Sequence, residues 1–418
     1  MRIALIAHHV APVRAPFAGG VESFTWYLGR WLARRGHDVV CFGPPGSAIP
    51  GVEMRELDLA PRLSDAARCD VDMPAPEFMA AHHAYQRLML ELRSDADEFD
   101  VVHSNTLHYL PLLMAGTIPV PVLTTLHTPP TPWLESALRS MDRHGRVPLA
   151  AVSPATRDAW ADVVPGVPVV HNGVDDRAWP LGPGGDDVAW AGRIVPEKAP
   201  HLAIDSARAA GRRIVLAGPV IDRAYWRAQV EPRLGPDARY AGHLDHDELA
   251  ALLGSSAVAL MTPAWDEPFG LAAAEAMACG TPVVAFGRGG LAALVGREGG
   301  RTVPPDDVAG LARAIPRAAT LDRAGVRAHA LRTAGLDATG REYERTYRRL
   351  VAGARARAAA TARVRPALAP VPVSPLPDGA PTIAGAGEPG RPAPGAAALR
   401  PPARRRLLAA PGTVQATP

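Results

Sequence analysis

The sequence predicts an α/β protein made of two doubly wound units that face a common cleft. Short apolar runs without polar alternation, such as "RIALIA" (2–7) and "TPVVAFG" (281–287), read as parallel strands buried on both faces. Amphipathic stretches with helical spacing alternate with them. The whole series then restarts after "VPVVHNGVD" (167–175), and 418 residues are enough for two domains with something to spare.

In chain order, "RIALIA" is the first buried strand; it is too short an apolar run for a secretory leader and lacks a small-residue cleavage pattern. In "GGVESFTWYLGRWLARRGHD" (19–38), Val21, Phe24, Leu28, Trp31 and Leu32 recur at helical spacing, with Gly36 as the stop. "DVVCFG" (38–43), "DVVHS" (100–104), "PVLTTLH" (121–127) and "LAAVS" (149–153) supply further strands, while 69–90 shows little pattern. In the second unit, strands are expected at "DVAWAG" (187–192), "RIVLAG" (213–218), "ARYAG" (238–242), "AVALMTP" (257–263) and 281–287. Helices are expected at 199–210, 222–234, 245–254 and 270–279. The domains are therefore drawn at 1–168 and 169–336, each Rossmann-like. Next come a helix over 337–354, where Tyr343, Tyr347, Leu350 and Val351 form an apolar stripe, and a disordered tail over 355–418.

Charge narrows the partners. From Gly353 onward there are nine arginines and two acids, a net of +7, so the rest of the chain carries a net of −4. A mildly acidic body lacks the footprint of a nucleic-acid binder. The basic tail, with "RPPARRRLL" (400–408), is expected to support at most weak association with an anionic membrane surface. Cys41, Cys69 and Cys279 have neither metal-ligand spacing nor an even framework; they are expected to be small core hydrophobes in a reducing cytoplasm.

Lys198 is the only lysine in a chain otherwise charged by arginine. It follows the first strand of the second unit, five residues after Arg193, at the strand end where open α/β sheets bind ligands. In "DEPFGLAAAEAMACGTPVV" (266–284), Glu267 sits in a turn closed by Pro268 and Gly270, and Glu275 lies on the helix that begins there. The helix N-terminus is an anion site, and carboxylates flanking it accept well from vicinal hydroxyls. Arg193 and Lys198 suit the anion itself, a bidentate fork and a point charge for a diphosphate.

These residues resemble a known family. "GRIVPEK" with "EPFGLAAAEAMACGTPVV" is similar to the nucleotide-sugar site of retaining glycosyltransferases of family 4, the group 1 set with the GT-B fold, over about residues 1–352. "GGVE" and "NGVD" (172–175) support the likeness; Ala199 departs from it, since the family usually has glycine after the lysine. The resemblance implies that Arg193 and Lys198 bind the donor diphosphate and Glu275 the ribose hydroxyls. Glu267, with the Phe269–Gly270–Leu271 backbone, would hold the transferred sugar and distal phosphate, and the Gly19–Gly20 turn would approach the phosphates from the first domain. His127 would contact the sugar near the reacting centre, or else bond a loop carbonyl. Glu267, His127, Arg193 and Lys198 are thus the expected catalytic set. His103, Asn105 and His108 are read either as acceptor-pocket residues or as packing.

No Asp-x-Asp pair follows a strand, so no metal and no cofactor is expected, with a nucleotide-diphosphate sugar as co-substrate. The resemblance implies a hexose-type transfer with retention of configuration, UDP being favoured over GDP by family frequency alone. The acceptor would be a small molecule, a glycan or a lipid-linked hydroxyl, and the final helix would cross back to the first domain. The alternatives are a nucleotide-sugar epimerase of the same architecture and an inactive donor-binding subunit.

Overall fold

A computed structural model describes residues 1–95, 97–141 and 147–364. Two six-stranded sheets organise them, and every strand pairing within them is parallel. The first comprises β1 (Arg2–Ile6), β2 (Asp38–Gly43), β3 (Glu53–Glu56), β4 (Val101–Ser104), β5 (Val122–Leu126) and β6 (Leu149–Ala151), in the order β3-β2-β1-β4-β5-β6. The second comprises β7 (Val188–Ala191), β8 (Ile214–Ala217), β9 (Ala238–Tyr240), β10 (Val258–Met261), β11 (Val283–Phe286) and β12 (Gly300–Val303). Its order, β12-β11-β10-β7-β8-β9, is the same winding, so each unit has a switch point beside its first strand, at β1/β4 and β7/β10.

The continuous apolar runs are continuous because both faces are covered. On β1, Ile3 and Leu5 pack with Phe24, Leu28 and Trp31 of the first helix (Gly20–Arg34), while Ala4 and Ile6 pack with Tyr85, Leu88 and Met89 of the helix Pro76–Ser94. On β7, Ala189 and Ala191 pack with Ala273, Ala274 and Met277, and Val188 and Trp190 with Ala203, Ile204 and Ala207. The chain passes from one sheet to the other beyond Val169, which bridges Ala151, and returns where Val174 bridges Gly335. Gly173 permits that return: a Cβ there would lie 2.6 Å from Leu336 Cα.

Several expectations are corrected. β3 ("EMRE") and β12 ("GRTV") were not foreseen because neither is an apolar run. The region 69–90 contains most of a helix, Pro76–Ser94, whose buried stripe of Ala81, Ala84, Tyr85, Leu88, Met89 and Leu92 is weakened in sequence by its alanines. The helix expected over 222–234 is broken into Arg223–Tyr225, a π turn at Trp226–Val230 and a 3₁₀ turn at Glu231–Arg233, where Pro232 lacks an N–H to continue the ladder. Cys41 and Cys279 are buried, but Cys69 is exposed at the end of the four-residue helix Asp65–Arg68.

The final helix crosses back onto the first unit, as expected. Tyr343 and Tyr347 are fully buried among β1 and first-helix side chains. Asp337 Oδ1 accepts from Trp31 Nε1 at 2.7 Å, and Tyr347 Oη lies 2.7 Å from His103 Nδ1. The helix is longer than expected, running Leu336–Val364, and Arg355 pairs with Asp100 at 3.0 Å. Residues 355–364 therefore do not belong to a disordered tail. Alanine and arginine are strong helix formers, and once the apolar stripe has docked nothing stops propagation before Pro366. The rest of the expected tail, 365–418, lies outside the described residues.

Candidate active site

At the β7/β10 switch point the chain builds a cationic wall. Arg193 follows β7, and a 3₁₀ turn, Pro196–Lys198, brings Lys198 back toward the cleft. Ala199 then takes a left-handed conformation, φ 43° and ψ 52°, which explains why a glycine would be natural there. Thr262, after β10, holds the turn by donating to the Ala199 carbonyl at 3.0 Å. Lys198 Nζ lies 2.5 Å from Glu267 Oε2, which also accepts from Trp265 Nε1 at 3.1 Å. The ammonium is 5.4 Å from the Trp265 ring centre. Arg193 is freer, 3.5 Å from Glu197 and 40% exposed at its side chain.

The Glu267 turn is held from both domains. The Glu267 carbonyl accepts from Gly290 N at 2.7 Å, and the Pro268 carbonyl from Ser153 Oγ at 2.5 Å and Thr156 Oγ1 at 3.1 Å. Gly270, φ 98°, swings the chain into the site helix, Leu271–Ala278. A Cβ at Gly270 would meet Leu291 Cδ2 at 2.5 Å, so glycine is required twice over. The Leu271 and Ala272 N–H groups precede the first bonds to the Gly270 carbonyl, made by Ala273 and Ala274, and both residues line the cavity. Glu275, one and a half turns in, is half-buried on the cavity wall, and loss of solvation pushes its carboxyl up to about 7.

The opposite wall belongs to the first domain. Gly20 approaches the site helix so closely that a Cβ would lie 3.2 Å from Leu271 Cδ1. Glu22 is 6% exposed; burial pushes its carboxyl up, partly offset by its own backbone N–H and the charge of Arg193. His127, just past β5, lies 4.9 Å from the Phe24 ring, and burial lowers its pKa to about 3. The neutral ring donates through Nε2 to Asn105 Oδ1 at 3.1 Å, which leaves Nδ1 as an acceptor. The loop-carbonyl alternative for His127 is thus replaced by a side-chain amide.

Gly19, Gly20, His127, Arg193, Lys198, Glu267, Phe269, Gly270, Leu271 and Glu275 all line one cavity of about 490 Å³ between the two sheets. His103 is not on it: its nitrogens bond Tyr347 and Thr125, a packing role. Asn105 acts through His127, and His108 caps the helix Tyr109–Met114. The sequence reading missed Glu22, Trp265 and Asn172 as lining residues. Glu22 and Asn172 stood inside the quoted "GGVE" and "NGVD", so position within a motif was the available signal.

The family "Glycosyltransferase Family 4" matches residues 18–178, and "Glycosyl transferases group 1" matches residues 185–320. The chain is 30% identical over 359 residues to a glycogen synthase of Mycobacterium tuberculosis (strain ATCC 25618 / H37Rv), covering 75% of this chain and 85% of that one. It belongs to glycosyltransferase family 4. It is also 30% identical to a D-inositol 3-phosphate glycosyltransferase of Mycobacterium avium (strain 104), covering 84% and 94% of the two chains. This family 4 member is a glycosyltransferase with the GT-B fold. An Anabaena protein crystallised with UDP and glucose shares that fold at a TM-score of 0.64, with 18% identity and coverage of 82% and 98%. A sucrose-phosphate synthase from Thermosynechococcus elongatus does so at 0.66, with 21% identity and coverage of 84% and 99%. Among the described residues no helix is long and apolar enough to cross a membrane.

Proposed function

We propose that this glycosyltransferase moves a hexose-type sugar from a nucleotide-diphosphate sugar, UDP-linked in preference to GDP-linked, to an acceptor hydroxyl with retention of anomeric configuration and without a metal ion. The observation that carries the reading is the convergence of Arg193, Lys198 and the open N-terminus of the site helix on one cavity wall. Those groups are fixed positive potential where a departing diphosphate gains charge. Among the described residues no three His, Cys, Asp or Glu side chains gather as a metal site would need, so the cations are assigned the neutralising role. The UDP in the Anabaena neighbour supports the choice of base.

In this reading Glu275 accepts from the ribose hydroxyls, and Glu267 and the Phe269–Gly270–Leu271 backbone hold the sugar and distal phosphate. His127, neutral and fixed by Asn105, accepts a sugar hydroxyl through Nδ1. The acceptor oxygen attacks the anomeric carbon on the face that the diphosphate leaves. The carbon–phosphate oxygen bond breaks, the new glycosidic bond forms, and the acceptor proton passes to the leaving phosphate oxygen. His243 Nε2 lies 3.2 Å from the Phe17 carbonyl at the rim of the cavity, and closure of the domains around the donor would keep water from it. The acceptor lies against the first domain. Thermal-shift screening of nucleotide sugars, followed by NMR assignment of the product anomer, tests the proposal. A stabilising UDP-sugar and a retained anomer are expected; an inverted product or a free epimer overturns it.

A further inference from the structure

On the first domain a file of aromatic and imidazole rings leads away from the cavity, and the reaction as described uses none of it. His8 lines the cavity. Its ring centre is 4.7 Å from that of His9, and His9 is 6.2 Å from His108. His108 stacks on Tyr109 at 4.9 Å, and Tyr109 stacks on Trp133 at 5.3 Å, with interplanar angles of 23° and 22°. Phe78 lies 5.5 Å from Trp133. The rings come from four separate segments: the loop after β1, the loop after β4, and the starts of the helices Pro76–Ser94 and Pro132–Ser140. Trp133 ends the file 57% exposed, the most exposed aromatic side chain of the described chain's large hydrophobics.

Two features distinguish this file from ordinary packing. A core would cover Trp133, whereas here its large face is left to solvent at the end of a file that begins in the reaction cleft. The file also carries polar atoms with no partner among the described residues, His9 Nδ1 and His108 Nε2. Buried nitrogens of that kind are normally satisfied, so ordered water behind the rings is expected to complete them.

Resting on the proposed transferase reading, we infer that this file is an acceptor subsite for a neutral carbohydrate of two or more rings, with the acceptor hydroxyl at the His8 end and an outer sugar on Trp133. A sugar presents an apolar C–H face to an aromatic ring, here the solvent-facing side of Trp133, and its rim hydroxyls to the cavity end of the file at His8. Fixed cations, which recognition of a phosphate ester calls for, are not available on these two helices: Arg87 pairs with Asp58 and Arg139 with Glu135, and Arg93 sits in the last turn, at the far end of its helix from Phe78. Burial also holds His8 near 3 and His108 near 4, so these rings are neutral at pH 7. The subsite thus differs in chemistry from what a phosphorylated polyol would need, although the name of the Mycobacterium avium relative points to such an acceptor. Arg14, exposed in the loop that borders the cavity, is the cation a phosphate ester would have to use.

The test is saturation-transfer NMR on the full chain with maltotriose, cellotriose and inositol 3-phosphate as probes, with UDP affinity measured by calorimetry on the same samples. At least one neutral trisaccharide is expected to receive saturation on its ring C–H protons. Trp133→Ala should weaken it about tenfold or more while leaving UDP affinity unchanged. Three results overturn the proposal while UDP still binds: no neutral saccharide binds, binding is indifferent to Trp133→Ala, or only inositol 3-phosphate binds and is lost in Arg14→Ala. If UDP does not bind either, the transferase reading falls and takes this subsite with it.

Discussion

Glu267 Oε2 receives both the Lys198 ammonium, at 2.5 Å, and the Trp265 indole N–H, at 3.1 Å. The lysine of this chain is therefore already neutralised before any donor enters. A diphosphate has to share or take over that ammonium, while Trp265 keeps one hydrogen bond on the carboxylate. Lys198 and Glu267 are 22% and 15% exposed at their side chains, so each depends on the other for much of its charge compensation.

Replacing Lys198 is accordingly expected to act on the reaction more than on the fold. Lys198→Ala should lower transfer by about one to three orders of magnitude, at roughly 1.4 kcal/mol of barrier per tenfold. Lys198→Arg should recover only part, because a planar fork replaces a point charge. Steady-state rates with circular dichroism decide it; near wild-type turnover in Lys198→Ala would remove the lysine from the phosphate site.

Donor affinity is expected to depend on pH through Glu275. Its carboxyl stands at about 7 because burial disfavours the charged form, and a double acceptor for hydroxyls must be ionised. Its neighbours Tyr27 and Cys279 are themselves pushed up and stay neutral. Affinity should rise with pH to a plateau about one unit above 7, falling about tenfold for each unit below it. The ligand-free protein should behave oppositely. The unfolded carboxyl ionises from 4.5 upward, so Glu275 contributes stability below that value and loses it as pH climbs through 7. Calorimetric titration of UDP-glucose, whose diphosphate has no group that titrates in this range, from pH 5.5 to 8.5 should show a slope in the wild type and a flat profile in Glu275→Gln; a slope that survives the substitution assigns the titration elsewhere.

Chelation is expected to leave turnover unchanged. Arg193, Lys198 and the N-terminus of the site helix line the cavity where the proposal puts the departing diphosphate. Activity lost in EDTA and restored by magnesium or manganese would contradict the metal-free proposal.

The crossing helix is expected to be indispensable and its end dispensable. Truncation before Asp337 uncovers the first-unit core that Tyr343 and Tyr347 fill, and should abolish cooperative unfolding of that unit. Gly340→Val should be almost as damaging, because even a Cβ there would lie 2.3 Å from the Trp31 ring. Ending the chain after residue 354 forfeits mainly the exposed Arg355–Asp100 pair, worth about 0–1 kcal/mol. Thermal melts of the three variants give the ranking, and an unchanged melt for Gly340→Val would refute the close packing.

The basic C-terminal region is expected to give weak, salt-sensitive co-sedimentation with anionic liposomes. Its net +7 contributes about 1 kcal/mol per basic residue near the surface, but only three of its arginines are consecutive. Full-length protein should sediment at low salt and a chain ending at Ala354 should not; identical behaviour of the two removes any membrane role for these residues.

What the sequence determined by itself is what depends on local pattern. β2 ends where "DVVCFG" ends, because a parallel strand covered on both faces is legible as an uninterrupted apolar run. The donor wall was legible for a related reason: Glu267, Gly270 and Glu275 lie within one turn and one helix, so spacing alone sets them around a helix N-terminus. Tertiary structure decided whatever joins distant segments. Only the fold brings Asn105 to His127 across β4 and β5, turning a strand-end histidine into a neutral acceptor of fixed tautomer. Only docking on Trp31 and His103 carries the last helix past residue 354, since its own stripe ends at Val351 and propagation then follows from a nucleus made elsewhere. Phe78, Tyr109 and Trp133 are unremarkable in sequence, and they become a surface because three helix starts converge on one edge of the cleft. Contacts between residues tens of positions apart leave no period to read.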